Sequence, residues 1–181
     1  MTDERPPDLP SPFVAEWAAR LGSEMPPSRR ALDVAMGRGR HALVLARAGW
    51  TTYGIDLKFD AVREAVRLAA CEGLALRAWC ADLTHGALPV SAFELIVVTR
   101  YLRRDLFPAL ADALVPGGVL LYETFTDRQR ARGWGPTSPD HLLKPRELLT
   151  LAAGLDAIDY EEVETPEAVA RLAARRRHSP S

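Results

Sequence analysis

The stretch that decides the fold of this 181-residue chain is Leu32-Asp33-Val34-Ala35-Met36-Gly37-Arg38-Gly39-Arg40-His41. Its apolar beginning predicts a short buried strand over residues 31–35, and its glycines predict a turn over residues 36–39. A helix is predicted next, over residues 40–48, and Gly49 ends it. Because a strand that leads through a glycine turn into a helix starts a βαβ unit, this stretch indicates an α/β fold.

The rest of the chain repeats this alternation. Further strands are predicted over residues 51–56, 74–80, 93–98, 119–125 and 157–163, and further helices over residues 12–21, 62–72, 105–114 and 146–153. Gly22 is expected to end the first helix, and Pro116-Gly117-Gly118 to separate the fourth helix from the strand that follows it. Residues 168–175 favour a helix by propensity, but they follow the preceding strand too closely for a parallel crossover, so an antiparallel strand stays open. The pattern predicts a mostly parallel sheet with helices on both faces.

The composition, with 48% hydrophobic and 26% charged residues, is that of a folded globular protein. A formal net charge of −1 argues against nucleic acid or an anionic membrane as a partner. No apolar run approaches the ~20 residues that span a bilayer, and the acidic, proline-rich start predicts no secretory signal, so we expect a cytoplasmic protein. Cys71 and Cys80 have no metal-ligand spacing and are expected to be reduced core residues, and no metal site is predicted.

Two segments stand apart from the alternating pattern. The polar residues 126–140 contain glycines and Trp134, which looks exposed, and a loop of this length is typical of a lid, a binding segment or a disordered stretch. The basic cluster Arg175-Arg176-Arg177-His178 could contact phosphates, but we expect it to be a solvated tail.

The glycine turn and the end of the second strand predict a site for an adenosine-like ligand. Gly37 and Gly39 allow the backbone to approach a ligand closely, and the helix that starts near Arg40 favours an anion. Asp56 ends the second strand, where a carboxylate can accept hydrogen bonds from both hydroxyls of a ribose. Open α/β sheets bind ligands at this edge, outside the carboxyl ends of their strands.

Two other interpretations of the glycines stay open on the residues alone. The string Gly37-Arg38-Gly39-Arg40-His41-Ala42 fits the dinucleotide fingerprint, which predicts a nicotinamide cofactor, and the glycines could also serve the turn alone. Three features favour a different ligand. Asp33 can meet a cationic amino group, Asp82 after the third strand can accept from an adenine amino group, and the chain is short for a dehydrogenase with a substrate domain.

These motifs resemble those of the class I S-adenosylmethionine-dependent methyltransferases, and in particular the small single-domain bacterial group that includes the tellurite-resistance-type enzymes. The first three are the opening stretch, Tyr53-Gly54-Ile55-Asp56 and Ala81-Asp82-Leu83. Phe93-Glu94-Leu95-Ile96-Val97-Val98 and Leu114-Val115-Pro116-Gly117-Gly118-Val119-Leu120 follow in the family's order. The resemblance covers residues 28–175, and Ala35, Lys58, Glu94 and Arg103 depart from the usual pattern.

The resemblance implies a Rossmann-like sheet of seven strands in the order 3-2-1-4-5-7-6, with the last strand antiparallel, so that residues 168–175 form a strand. It implies S-adenosylmethionine as the cofactor. It also implies a methyltransferase domain over residues 28–175, an N-terminal extension with one helix over residues 1–27, and a tail over residues 176–181. The cofactor-binding residues that it implies are Asp33, Ala35, Gly37 and Gly39 at the methionine end, Arg40 at the carboxylate, Asp56 and Leu57 at the ribose, Ala81, Asp82 and Leu83 at the adenine, and Thr99 near the sulfonium.

The predicted function is the transfer of a methyl group from S-adenosylmethionine to a small-molecule acceptor. The alternatives are a nicotinamide-dependent oxidoreductase and a methyltransferase that acts on RNA or protein. Alignment of nucleophile, methyl carbon and sulfur can supply up to about 7–11 kcal/mol, so no diagnostic catalytic side chain is required. The candidates are Tyr101, Arg100 and His141, with His85 as a further candidate base, and we expect a monomer or homodimer.

Overall fold

The computed structural model describes residues 9–24, 29–84 and 88–178. In this part of the chain, strands and α-helices mostly alternate, as the sequence predicts. The strands are β1 (Arg30–Val34), β2 (Thr51–Asp56), β3 (Leu76–Cys80), β4 (Phe93–Thr99), β5 (Leu114–Phe125), β6 (Asp156–Val163) and β7 (Val169–Arg175). The helices are α1 (Pro12–Glu24), α2 (Arg40–Arg47), α3 (Phe59–Cys71), α4 (Phe107–Ala113) and α5 (Glu147–Leu151).

The seven strands form one sheet in the order β3-β2-β1-β4-β5-β7-β6. Strands β1 to β5 pair in parallel, whereas β7 lies antiparallel to both β5 and β6. This confirms the predicted order and makes residues 169–175 a strand, because pairing on both sides outweighs the helical propensity of the segment. The outer edge is β6, whose side chains are mostly exposed and include Asp156, Asp159, Glu161 and Glu162.

Apolar side chains cover both faces of the sheet, as alternation along β4 shows. Leu95 and Val97 face a layer that holds α1, while Ile96 and Val98 face the larger cluster that holds α4. Helix α1 contributes Phe13, Val14, Trp17, Ala18 and Leu21 to its layer. The carboxyl ends of the central parallel strands, where a site is expected, therefore lie between two packed layers. No helix among the described residues is long and apolar enough to cross a membrane.

Some expected boundaries differ from the structure. Helix α1 runs past Gly22 to Glu24, since a glycine in a helix costs only ~1 kcal/mol relative to alanine. Strand β5 begins at Leu114, so Pro116-Gly117-Gly118 lies inside it. A register shift opposite Phe93 accommodates these residues, and Gly117 adopts a left-handed φ of 81°.

Several predicted environments also differ. Both cysteines are free but exposed, not part of the core: Cys71 is the last residue of α3, and Cys80 ends the edge strand β3. Trp134 is half-buried, with its ring against that of Phe125 at 6.2 Å between centroids. Residues 126–140 are not simply an irregular loop, because they contain short 3-10 helices, Asp127–Arg132 and Pro139–His141.

The basic cluster is not a solvated tail as far as the structure describes it. The Arg176 N–H donates to the Gly118 carbonyl at 2.8 Å, and the Arg176 carbonyl accepts from the Gly117 N–H at 2.9 Å. Arg177 forms an ion pair with Asp156 at 2.7 Å. These contacts join the end of the described chain to the start of β5 and to β6. Residues 1–8, 25–28 and 179–181, which belong to the predicted extension and tail, and His85 lie outside the described residues.

Candidate active site

The turn after β1 lines an open cleft of about 960 Å³, which we call the glycine cleft. Ala35 and Gly37 adopt left-handed φ values of 54° and 56° in this turn. A Cβ atom built on Gly37 would meet no atom within 4 Å, so this backbone faces open space. Arg100, at the end of β4, also lines the cleft and has a φ of 50°. Left-handed backbone at non-glycine residues costs about 1–3 kcal/mol and is concentrated at functional sites.

Asp56 holds the glycine turn against the end of β2. Its Oδ2 accepts a hydrogen bond from the Gly37 N–H at 2.8 Å, and its Oδ1 accepts from the Lys58 N–H at 2.8 Å. Each carboxylate oxygen has a second lone pair, so Asp56 can still accept two hydrogen bonds from a ligand. The Ala81 N–H donates to the Asp56 carbonyl at 3.1 Å, which brings the third motif beside the second.

Asp33 is 1% exposed and lies directly behind the turn. Its Oδ2 accepts from the Ala42 N–H at 2.9 Å and so caps helix α2, which begins after a glycine that has no side chain to do so. Its Oδ1 is buried without a hydrogen-bond partner in the structure. Burial raises the pKa of the Asp33 carboxyl to about 7, although the Ala42 N–H and Arg40 oppose this shift.

His41 connects the chain before α1 to the end of β4. Its Nε2 accepts a hydrogen bond from the Ser11 N–H at 3.0 Å, and its Nδ1 lies 3.0 Å from the Thr99 hydroxyl. Because Nε2 is an acceptor, the proton of the neutral imidazole resides on Nδ1 and is donated to Thr99 Oγ1. Burial and the charges of Arg40 and Arg100 lower the His41 pKa to about 3, so the ring is neutral at ordinary pH.

A second cavity of about 300 Å³, which we call the side pocket, adjoins the glycine cleft. Arg40 and Arg100 line both cavities and therefore form their common boundary. Residues 9–12 line the side pocket from one side, and Glu123 on β5 and Arg171 on β7 line it from another. Ser11 fixes the position of residues 9–12, since its Oγ donates to Glu123 Oε2 at 3.0 Å while its N–H donates to His41.

The cofactor-binding residues implied by the resemblance and the catalytic candidates fall into three groups in the structure. Ala35, Gly37, Arg40, Thr99 and Arg100 line the glycine cleft. Asp33 and Asp56 lie behind the turn and hold it. The third group lines neither cavity; its members are Gly39, Leu57, Ala81, Asp82, Leu83, Tyr101 and His141.

Members of this third group have other surroundings. Gly39 faces α3, because a Cβ there would lie 2.8 Å from the Cβ of Ala65, so its glycine serves helix packing. Leu57 is 64% exposed, and Asp82 is also exposed and accepts from the Thr84 N–H at 2.7 Å. Ala81 and Leu83 are half-buried against the larger apolar cluster.

Tyr101 and His141, two candidates for catalysis, also lie in this group. Tyr101 packs against the larger apolar cluster, and its carbonyl accepts from the Tyr122 hydroxyl at 2.8 Å. His141 is exposed at the end of a 3-10 helix.

In the described residues, no group of three His, Cys, Asp or Glu side chains could hold a metal ion.

Sequence reasoning missed several residues at the site. Phe59, Asp60 and Glu64 line the glycine cleft from the start of α3, and their position directly after Asp56 could have indicated them. His41 belongs to the first motif, but the motif does not indicate its contacts. Ser11 and Glu123 meet across 112 positions of sequence, and no local pattern predicts such a contact.

The comparisons with known proteins agree with this geometry. A family model described as "Methyltransferase domain" matches residues 31–118, which include the glycine turn, Asp56 and the start of β5. No curated protein sequence matches the chain at a significant level. Many solved structures resemble it, and three of them share 14% to 24% sequence identity with it, so their likeness shows the fold.

A SAM-dependent methyltransferase from Clostridium acetobutylicum superposes with a TM-score of 0.75 at 14% identity, over 94% of each chain. A protein from work on the conversion of a disulfide bond into a thioacetal group during echinomycin biosynthesis gives 0.76 at 24% identity, over 98% of this chain and 86% of that one. TehB from Haemophilus influenzae gives 0.70 at 17% identity, over 90% of this chain and 62% of that one.

The methyltransferase-domain match over residues 31–118 and the strand order support a class I S-adenosylmethionine-dependent methyltransferase. Its cofactor is S-adenosylmethionine, and the match decides against the nicotinamide alternative for the glycine string. The likeness to TehB, at 17% identity, shows the shared fold, and the tellurite-resistance-type group stays a prediction.

Proposed function

We propose that this methyltransferase acts on a small molecule that binds in the side pocket. The observation that carries the proposal is the position of this pocket, which meets the glycine cleft at Arg40 and Arg100. Its volume of about 300 Å³ is at the lower end of the range for small-molecule sites. A net charge of −1 gives no electrostatic reason to expect an RNA acceptor.

The glycine cleft fits the proposed cofactor contacts. We propose that Asp56 accepts hydrogen bonds from the ribose hydroxyls, because both of its oxygens retain acceptor capacity beside Gly37 and Lys58, which line the cleft. Gly37 leaves room for the methionine part, and Asp33 Oδ1, buried without a partner, suits the amino group. We further propose that Arg40 pairs with the carboxylate, and that Leu57 and residues 81–83 border the ribose and adenine.

The chemistry needs alignment more than proton transfer. S-adenosylmethionine supplies a methyl group on a positively charged sulfur. The chain's contribution is to hold an acceptor in line with this group from the side pocket, which Arg100 borders, and to exclude water with residues 9–12. His41 does not serve as a base, because its pKa is lowered to about 3 and both of its ring nitrogens are engaged.

Titration calorimetry with S-adenosylmethionine and with NAD, followed by turnover of labelled methyl donor on a metabolite panel, on RNA and on protein, tests the proposal. We expect binding of S-adenosylmethionine and not of NAD, and label transfer to a small organic acceptor. Transfer to RNA or protein with none to small molecules would overturn the acceptor class. Binding of NAD alone would contradict the cofactor contacts.

We also propose the division of the chain into a methyltransferase domain over residues 28–175, an N-terminal extension and a short tail. In the described part of the extension, α1 packs on the sheet and residues 9–12 line the side pocket, so the extension completes the site. A shortened protein that starts at residue 28 is expected to lose turnover.

A further inference from the structure

Glu123 is the most buried carboxylate that lines the side pocket among the described residues. Its side chain is 7% exposed, and it lies in β5 between Thr99 on β4 and Arg171 on β7. Oε2 accepts two hydrogen bonds, from Ser11 Oγ at 3.0 Å and from Arg171 Nε at 2.5 Å. Oε1 accepts none from any residue that the structure describes. Because Glu123 lines the side pocket, Oε1 keeps its lone pairs for a donor that a ligand brings.

Two of the three arginines that line the side pocket have carboxylate partners, and the third, Arg40, is proposed above to pair with the cofactor carboxylate. Arg171 pairs with Glu161 at 3.0 Å in addition to Glu123, and Arg100 pairs with Glu167 at 2.5 Å. An inorganic oxyanion in this pocket would have to displace these carboxylates and would lie beside the Glu123 charge. The polar character of the pocket therefore favours a ligand that donates hydrogen bonds over one that only accepts them.

The remaining wall of the side pocket is apolar. This apolar wall consists of Leu9, Pro10, Pro12, Pro166 and Val169. Such a wall offers contact to a hydrocarbon or ring portion of a ligand and no hydrogen bonds from its side chains.

We propose that Glu123 selects the methyl acceptor, which is an organic molecule with an apolar body and an N–H or O–H group that donates to Glu123 Oε1. This deepens the proposed function and rests on it, since it takes the side pocket as the acceptor site. In the transfer, a lone pair of the acceptor forms the bond to the methyl carbon, and the carbon–sulfur bond breaks with its electron pair remaining on sulfur. Any proton on the nucleophile passes to bulk water.

Binding of a matched pair of probes tests the proposal without knowledge of the natural acceptor. Phenol and anisole differ in one hydrogen-bond donor, and their affinities for the full chain with S-adenosylhomocysteine bound can be measured by ligand-observed NMR. We expect phenol to bind at least fivefold tighter than anisole. Sodium tellurite should not displace phenol.

Two variants separate Glu123 from its neighbours. E123Q should reduce the preference for phenol to less than twofold, while Arg171 keeps Glu161 as a partner. E161Q is the matched control, because it also removes a carboxylate from Arg171 but lies outside the side pocket, and it should preserve the preference. In turnover, E123Q should raise the acceptor KM at least tenfold.

Three results would overturn this inference: equal affinity for phenol and anisole, a preference that survives E123Q, and faster methylation of tellurite than of every organic acceptor. Titration calorimetry with S-adenosylmethionine distinguishes failure of the role proposed for Glu123 from failure of the proposed function. If the affinity for S-adenosylmethionine in E123Q stays within twofold of the wild type and small molecules are methylated, only the role of Glu123 is at fault. If no small molecule is methylated by the wild type and phenol shows no binding, both fail.

Discussion

At the scale of single residues, one substitution at Asp56 tests both its hold on the glycine turn and the ribose contact proposed for it. D56A removes the acceptor proposed for the ribose and also strands the Gly37 and Lys58 N–H groups, so the affinity for S-adenosylmethionine should fall by about 1–3 kcal/mol, or about 5- to 150-fold. Titration calorimetry measures this loss. E161Q, which changes a carboxylate that lines neither cavity, is the control and should bind normally. Unchanged affinity in D56A would contradict the ribose contact.

The sequence predicted the residues that adjoin the glycine turn better than those that meet across the fold. Gly37 and Asp56 follow strands, so their position at one edge of the sheet is a direct consequence of the topology. The sequence also indicated Asp33, but not that its Oδ2 caps α2. His41 and Ser11 are 30 positions apart and meet only because α1 packs on the sheet, which no motif encodes.

At the scale of elements, the chain before α1 depends on His41 for its attachment. H41A should strand the Ser11 N–H and leave a small cavity, which lowers the free energy of unfolding by about 2–4 kcal/mol. Amide hydrogen exchange over residues 11–24 should be faster in H41A than in the wild type. S23A on the same helix removes only a local bond to the Arg20 carbonyl and should leave the exchange unchanged and the free energy of unfolding within about 0.5 kcal/mol. Unchanged exchange in H41A would show that packing of α1 suffices.

The strands and helices themselves followed from periodicity, with two instructive exceptions. The proline and two glycines at residues 116–118 predicted a break, yet β5 includes them because the register shift opposite Phe93 takes up the irregularity. Residues 169–175 form a strand because β5 and β6 both pair with them, a tertiary effect that local propensity does not contain. The family resemblance, not the pattern of residues, indicated that strand.

At the scale of the whole molecule, Asp33 and His41 should have opposite effects on stability as pH changes. The Asp33 pKa is raised from 3.8 to about 7, so its contribution is greatest at low pH and is lost as pH rises through that range. The His41 pKa is lowered from 6.5 to about 3, so its contribution is present above pH 6.5 and is lost as pH falls. Between about pH 4 and pH 6.5 the two slopes, each about 1.4 kcal/mol per pH unit, largely cancel.

Urea unfolding at pH 4.5 and pH 6.5 separates these effects. Relative to the wild type, D33N should lose about 2–3 kcal/mol more stability on acidification, because only the His41 slope remains. H41Q should lose about 2–3 kcal/mol less over the same interval, for the converse reason. Parallel pH profiles for all three proteins would contradict the opposing titrations.

The acidic side chains of β6 limit how two molecules can meet. An edge strand offers its backbone hydrogen-bonding groups to any other strand, and continuous sheets between neighbouring molecules form in this way. A second copy that paired along β6 would bring a second set of these carboxylates beside the first. Repulsion between the two sets of carboxylates opposes strand pairing along β6 and therefore opposes fibre-like polymerisation at this edge. The strand β6 lies at the opposite edge of the sheet from β3.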